Sequence, residues 1–74
     1  MIKHINMIPV ESSQIDSIGY DKETQELYVQ FKKGGATYIY YEVTQEEFDF
    51  LLDDTMRSET FKRIKATKEY TKAE

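Results

Sequence analysis

Two adjacent serines, Ser12 and Ser13, are residues whose type could do covalent chemistry. A serine attacks a substrate only when a base within hydrogen-bond reach takes its proton. His4 is the sole histidine of the 74-residue chain, and we expect it to lie in a mobile terminus. Because serine hydroxyls readily bind nearby backbone groups, the pair is predicted to brace a turn or the start of a strand.

Paired carboxylates are a second candidate for chemistry, since they could hold a metal ion. The chain contains Asp53-Asp54 and, further upstream, Asp16 and Asp21. Neighbouring positions at a helix end do not converge on one ion, and neither pair has the spacing of a calcium-binding loop. With no cysteine and one histidine, a zinc site and a disulfide are excluded. We therefore expect no catalytic residues, no metal and no cofactor.

Aromatic rings are the third candidate. Tyr38, Tyr40 and Tyr41 fall within four positions, directly after Gly34-Gly35 in the stretch GGATYIYYEV. Such rings can form a ligand-binding surface or one wall of the core. Which of the two they form depends on the elements that carry them.

Three strands are predicted from the alternation of apolar and polar residues, over 15–21, 26–32 and 36–42. Gly34-Gly35 suits the positive φ angles of a tight hairpin turn between the second and third strands. The polar segment DKETQ joins the first two strands. The order is that of an antiparallel meander.

Two helices are predicted after the strands. Thr44 and Glu47 have the spacing of a capping box, and Ser58 can cap the second helix. The inward positions are predicted to be Phe48, Leu51, Leu52 and Thr55 on the first helix and Phe61 and Ile64 on the second. The fold class is α+β, a three-stranded antiparallel meander with two C-terminal helices packed on one face. It forms a single domain over 1–74 with a core of about 8–70, and only the final TKAE is expected to fray.

The tyrosines can be assigned to faces by pairing the strands about Gly34-Gly35. Phe31 then lies opposite Tyr38 and Val29 opposite Tyr40, on the side of the helices. Moving the turn to Lys33-Gly34 keeps the same faces, because side chains alternate with period two. Tyr38 and Tyr40 are therefore predicted to be core residues, packed against Leu51, Leu52 and Phe61.

The same pairing places Tyr28, Ile39 and Tyr41 on the uncovered face of the sheet. A wet sheet face usually carries polar residues, so we interpret this set as a partner-binding patch. Phe50, roughly opposite Phe48 on the helical wheel, is included among the predicted partner-binding residues. The alternative is that the tyrosines only pack across strands, which is worth about 0.2–1 kcal/mol per pair.

Charge is spread unevenly along the chain, whose net charge is −4. Residues 1–55 carry four Lys/Arg against eleven Asp/Glu, or −7, and residues 56–74 carry six against three, or +3. A basic segment on an acidic body can mark a contact surface, although it can also serve only to solvate a helix. The candidate RNA-binding residues are Lys32, Lys33, Arg57, Lys62, Arg63 and Lys65.

The stretches ESSQIDSIGYD, LYVQF, GG, YIY and a helix containing FDFLL together resemble the KTSC domain. This short domain occurs at the C-terminus of some lysyl-tRNA synthetases and alone in small bacterial and phage proteins. The resemblance covers about residues 10–65. It implies a family without an established activity, for which RNA binding has been suggested.

We predict a non-enzymatic binding domain. The acidic composition favours a protein partner, or a second copy in a homodimer, because nucleic-acid affinity depends on neutralising phosphates. RNA or tRNA binding through the sheet tyrosines and the basic second helix is the alternative, and an acidic phage-type inhibitor of a nucleic-acid enzyme is a third. Without an apolar run of roughly 18 residues or a secretory signal, we expect a cytoplasmic protein that does not enter a membrane.

Overall fold

The fold is a five-stranded antiparallel sheet with two helices. A computed structural model describes residues 5–73, so the prediction for His4 lies outside the described residues. The strands are β1 (Ile8–Pro9), β2 (Ile15–Asp21), β3 (Glu26–Phe31), β4 (Thr37–Tyr40) and β5 (Tyr70–Ala73), and they lie side by side in chain order. The helices, α1 (Gln45–Leu52) and α2 (Arg57–Thr67), come between β4 and β5.

The predicted α+β class and antiparallel meander are confirmed, but the count of three strands and the C-terminal position of the helices are wrong. After α2 the chain returns to the sheet, where Tyr70 pairs with Tyr40 and Ala73 with Thr37. The segment predicted to fray is therefore paired through Ala73. Sequence patterning missed both outer strands because β1 has two residues and β5 has no buried side chain.

The β3–β4 hairpin turns through Lys32–Gly35. Leu27 pairs with Tyr40 and Val29 with Tyr38, which is the register obtained when the turn is centred on Lys33-Gly34. The faces predicted for the tyrosines are therefore kept. Gly34 and Gly35 have φ angles of 78° and 66°, a region that glycine enters without steric cost.

Helix α1 begins with the predicted capping box. The backbone N–H of Glu47 donates to Thr44 Oγ1 at 3.2 Å, and the N–H of Thr44 donates to Glu47 Oε1 at 2.9 Å. Phe48 and Leu51 are buried as predicted. Leu52 is instead 39% exposed, because one further residue turns the side chain about 100° away from the core. Thr55 is exposed and lies beyond the end of the helix.

Helix α2 begins at Arg57, with Met56 at the N-cap position and no side-chain cap, so the prediction of a Ser58 cap is wrong. The reason is the tight turn between the helices, in which the carbonyl of Asp53 accepts from the N–H groups of both Met56 and Arg57. The chain therefore passes directly into the helix. Phe61 and Ile64 are buried as predicted.

The core lies between the helices and one face of the sheet. Its most buried side chains are Ile18, Leu27, Val29, Val43, Leu51 and Ile64. Tyr40 is 4% exposed, with its ring centroid 5.7 Å from that of Phe61 in an edge-on arrangement. Burial of Tyr40 is thus confirmed, whereas Tyr38 is only half-buried.

Tyr40→Ala is expected to lower the free energy of unfolding by about 3–5 kcal/mol, because it removes a large buried ring from the contact with Phe61. Leu52→Ala, at a partly exposed apolar position, is the control and is expected to cost about 1 kcal/mol or less. Thermal unfolding followed by circular dichroism measures both. A Tyr40→Ala protein that melts as high as Leu52→Ala would contradict the packing described for the core.

Candidate ligand-binding groove

The predicted outer patch is only partly accessible. Tyr28 and Ile39 pair across β3 and β4, Tyr41 follows the end of β4, and all three are half-buried. The Tyr28 hydroxyl donates to Glu26 Oε1 at 3.2 Å. Phe50 is 37% exposed, but it belongs to the helical layer on the other side of the sheet. The structure therefore does not join Phe50 to the tyrosines.

An N-terminal segment covers part of this outer face. Gly19 pairs with Tyr28, so the two share a face of the sheet. A Cβ added to Gly19 would lie 2.6 Å from Ile5 Cγ2 and 2.8 Å from Met7 Sδ. The missing side chain gives residues 5–7 room to lie against the sheet. A glycine inside a predicted strand signals such a close approach.

Arg57 is held by the fold. Its side chain is buried, its Nε donates to the carbonyl of Leu51 at 2.7 Å, and Nη1 donates to the carbonyl of Glu11. Nη2 donates to Asp54 Oδ1 at 2.7 Å and to the carbonyl of Leu52. The guanidinium thus ties the α1–α2 connection to the loop before β2. This burial gives Arg57 a structural role, and its predicted contact with RNA stays a prediction.

A concavity lies on the helix side of the sheet, along the β3–β4 hairpin and the neighbouring β5. We call it the aromatic groove; its volume is about 900 Å³. Its lining combines four aromatic rings, three lysines and a few small or polar side chains. They are Phe31, Tyr38, Tyr40, Tyr70, Lys32, Lys33, Lys65, Ser13, Gln14 and Ala36.

The rings form one continuous wall of the aromatic groove. The centroid of Tyr38 is 5.4 Å from that of Phe31 and 5.7 Å from that of Tyr70, which is 5.6 Å from that of Tyr40. Tyr70 is 58% exposed. Burial raises the pKa of Tyr40 above its ordinary value of 10.0, with smaller contributions from Tyr70 and Tyr38. The Tyr40 side of the wall is therefore uncharged at neutral pH.

The groove lysines have no carboxylate partner within residues 5–73. This distinguishes Lys32, Lys33 and Lys65 from Lys68, whose Nζ lies 3.5 Å from Glu47 Oε1. Lys65 Nζ lies 5.1 Å from the centroid of the Phe61 ring, a cation–π distance. The chain thus presents three cations next to exposed aromatic surface.

A smaller, more polar pocket of about 320 Å³ adjoins the groove between the loop before β2 and α2. The two concavities share Ser13, Gln14 and Lys65. Ser58 and Lys62 line only this polar pocket, whereas Arg63 is exposed and lines neither. The pocket extends the groove toward the start of α2.

Ser12 has the structural role predicted for it. Its Oγ accepts from the backbone N–H groups of Gln14 at 3.2 Å and Ile15 at 3.1 Å, so it braces the start of β2. Among residues 5–73 no cluster of three or more His, Cys, Asp or Glu side chains could hold a metal ion. Within the same residues no helix is long and apolar enough to cross a membrane.

The sequence model of the KTSC domain family matches residues 11–64. This chain belongs to the KTSC domain family. The match contains most of the aromatic groove, from Ser13 to Tyr40, and ends one residue before Lys65. The resemblance stated for Ser12-Ser13, Gly34-Gly35 and the central tyrosines is thus confirmed.

Two relatives agree with this membership. The crystal structure of a KTSC domain protein from Yersinia pestis superimposes with a TM-score of 0.85 at 30% identity, covering 96% of this chain and 100% of that one. A protein from Tsukamurella paurometabola is 59% identical over 46 residues, which are 62% of this chain and 67% of the relative. The KTSC fold described above is therefore one that an experimental structure also has.

Arg57→Lys is expected to destabilise this KTSC domain by roughly 2–4 kcal/mol, because lysine cannot reproduce the forked bonds to the buried carbonyls. Arg63→Lys, at an exposed position of the same helix, should change stability by less than about 0.5 kcal/mol. Urea denaturation of both variants makes the comparison. Equal midpoints would show that the Arg57 bonds contribute nothing to the fold.

Proposed function

We propose that this KTSC domain is a non-enzymatic binding module that takes single-stranded RNA into the aromatic groove. The observation that carries the proposal is the exposed surface of Tyr38 and Tyr70 beside Lys32, Lys33 and Lys65. The alternative predicted from the sequence, RNA on Tyr28 and Tyr41, uses the opposite face of the sheet. In the groove, the rings lie beside lysines that have no carboxylate partner within residues 5–73.

Base stacking supplies the uncharged part of the interaction. Unpaired bases stack on aromatic side chains of RNA-binding proteins, and each stacked base contributes about 1–3 kcal/mol. Tyr70 is 58% exposed and Tyr38 half-buried, so both offer ring surface to a base. The groove volume of about 900 Å³ is within the usual range of ligand sites, about 300–1,000 Å³.

Phosphate contacts supply the charged part. The net charge of −4 opposes RNA at long range, but the three groove lysines provide a local cationic surface. Several carboxylates line neither concavity and lie on α1 and in the connection after it, at Glu46, Glu47, Asp49 and Asp53. We therefore expect binding of modest affinity with a clear dependence on salt concentration.

Tyr70→Ala is expected to weaken binding of a short unstructured RNA between about fivefold and 150-fold, as the loss of one stacked base predicts. Fluorescence anisotropy at low salt measures the affinity. Tyr28→Ala is the matched control, because it removes the same ring from the opposite face. An equal loss in both variants, or no RNA binding by the wild type, would contradict the proposal.

The lysines are tested through the salt dependence. Replacing Lys32, Lys33 and Lys65 with glutamine is expected to reduce the slope of log K against log salt by about 2, since each phosphate contact on a single strand contributes about 0.7. Lys22→Gln, in the exposed turn between β2 and β3, should leave the slope unchanged. A triple variant with the wild-type slope would exclude these lysines as phosphate contacts.

A second candidate function is binding of a protein, specifically a second copy of this chain, through the outer face of the sheet. Tyr28 and Ile39 lie directly opposite each other there and keep part of their surface exposed, with Tyr41 nearby in the chain. Tyrosine and apolar side chains of this kind are common anchors of protein interfaces. A second copy carries the same net charge of −4, so this association depends on the aromatic and apolar contacts rather than on charge.

Tyr28→Ser together with Tyr41→Ser is expected to abolish self-association while leaving the helix-covered core folded, because neither ring belongs to that core. Sedimentation velocity gives the oligomeric state and circular dichroism the fold. A wild type that stays monomeric at high concentration, or a folded double variant that associates as strongly, would exclude this face as the interface.

A further inference from the structure

We infer that the polar pocket beside the aromatic groove binds the terminal phosphate of the single-stranded RNA. This inference rests on the proposed function, since the groove must first hold the bases. Ser13, Gln14 and Lys65 line both concavities. An RNA strand whose bases stack in the groove can therefore place its end directly in the pocket.

The donors of the pocket suit a phosphate monoester. Lys62 and Lys65 supply two ammonium groups, and Ser13 and Ser58 supply hydroxyls. Lys65 stands at the junction of the two concavities, against the ring of Phe61 at 5.1 Å. Charge-assisted hydrogen bonds of this type are stronger than neutral ones, and a phosphate monoester has a second pKa near 6, so it is largely dianionic at neutral pH.

The acidic residues of the pocket set which phosphate it can take. Asp54 is bonded to Arg57 at 2.7 Å, and Arg57 is bonded to the carbonyl of Glu11. These three residues line the pocket but not the groove. The Arg57 guanidinium compensates the Asp54 carboxylate at 2.7 Å, so Glu11 is the carboxylate of the lining that repels a further phosphate. The site is therefore one for a chain end.

The experiment uses one short RNA sequence in three forms, with hydroxyls at both ends, with a 5′-phosphate and with a 3′-phosphate. We expect one phosphorylated form to bind at least about tenfold tighter than the hydroxyl form. Lys62→Gln together with Ser58→Ala should remove this gain and leave the hydroxyl form bound as by the wild type, because both residues line the pocket alone. Arg63→Gln, on the same helix and outside the pocket, should retain the gain.

The outcomes separate the inference from the function on which it rests. Equal affinity for all three RNAs overturns the phosphate pocket and leaves RNA binding in the groove intact. A gain that persists in the Lys62→Gln, Ser58→Ala variant also overturns it. Absence of binding to any of the three removes the proposed function and the inference together. Inorganic phosphate that shifts the Ser13 and Ser58 amide resonances as strongly as the phosphorylated RNA would identify a site for the free anion and overturn the RNA end.

Discussion

The buried guanidinium of Arg57 is the interaction on which the arrangement of both concavities depends. A charge that is 5% exposed is tolerated only when its donors are satisfied, and here backbone carbonyls and Asp54 satisfy them. Because one carbonyl belongs to Glu11, the bond fixes the loop before β2 against α2. That loop carries Ser13 and Gln14, so the wall shared by the groove and the pocket is positioned by a residue whose own hydrogen bonds are made within the fold.

The second constraint is the shortness of the helices relative to the sheet. Helix α1 has eight residues and α2 eleven, and together they bury the middle of the helix-side face around Leu27 and Val29. The hairpin end of the same face, with Phe31 and Tyr38, stays half-covered. Strand β5 pairs with β4 and extends the sheet beyond the helices, which adds Tyr70 to the half-covered part of this face. The groove thus follows from incomplete coverage of an apolar face.

The sequence predicts well what depends on local pattern and poorly what depends on long-range placement. The alternation around Leu27 and Val29, and the spacing of Thr44 and Glu47, predicted the central strands and the start of α1 correctly. Strand β5 was not predicted because a strand without buried side chains has no periodic apolar pattern. The structural role of Arg57 was not predicted because most of its hydrogen-bond partners are backbone carbonyls, which every residue possesses and which leave no sequence pattern. The groove could not be predicted, since it required knowing where α2 ends over the sheet.

The aromatic wall has a spectroscopic consequence. The chain contains six tyrosines and no tryptophan, so excitation above the phenylalanine absorption band gives emission from the tyrosine rings. Three of those rings, Tyr38, Tyr40 and Tyr70, line the groove and lie close enough together to exchange excitation energy. A molecule that binds against these three rings will change the intrinsic fluorescence of the unlabelled domain. A molecule that binds to the exposed side of α1 will change it much less.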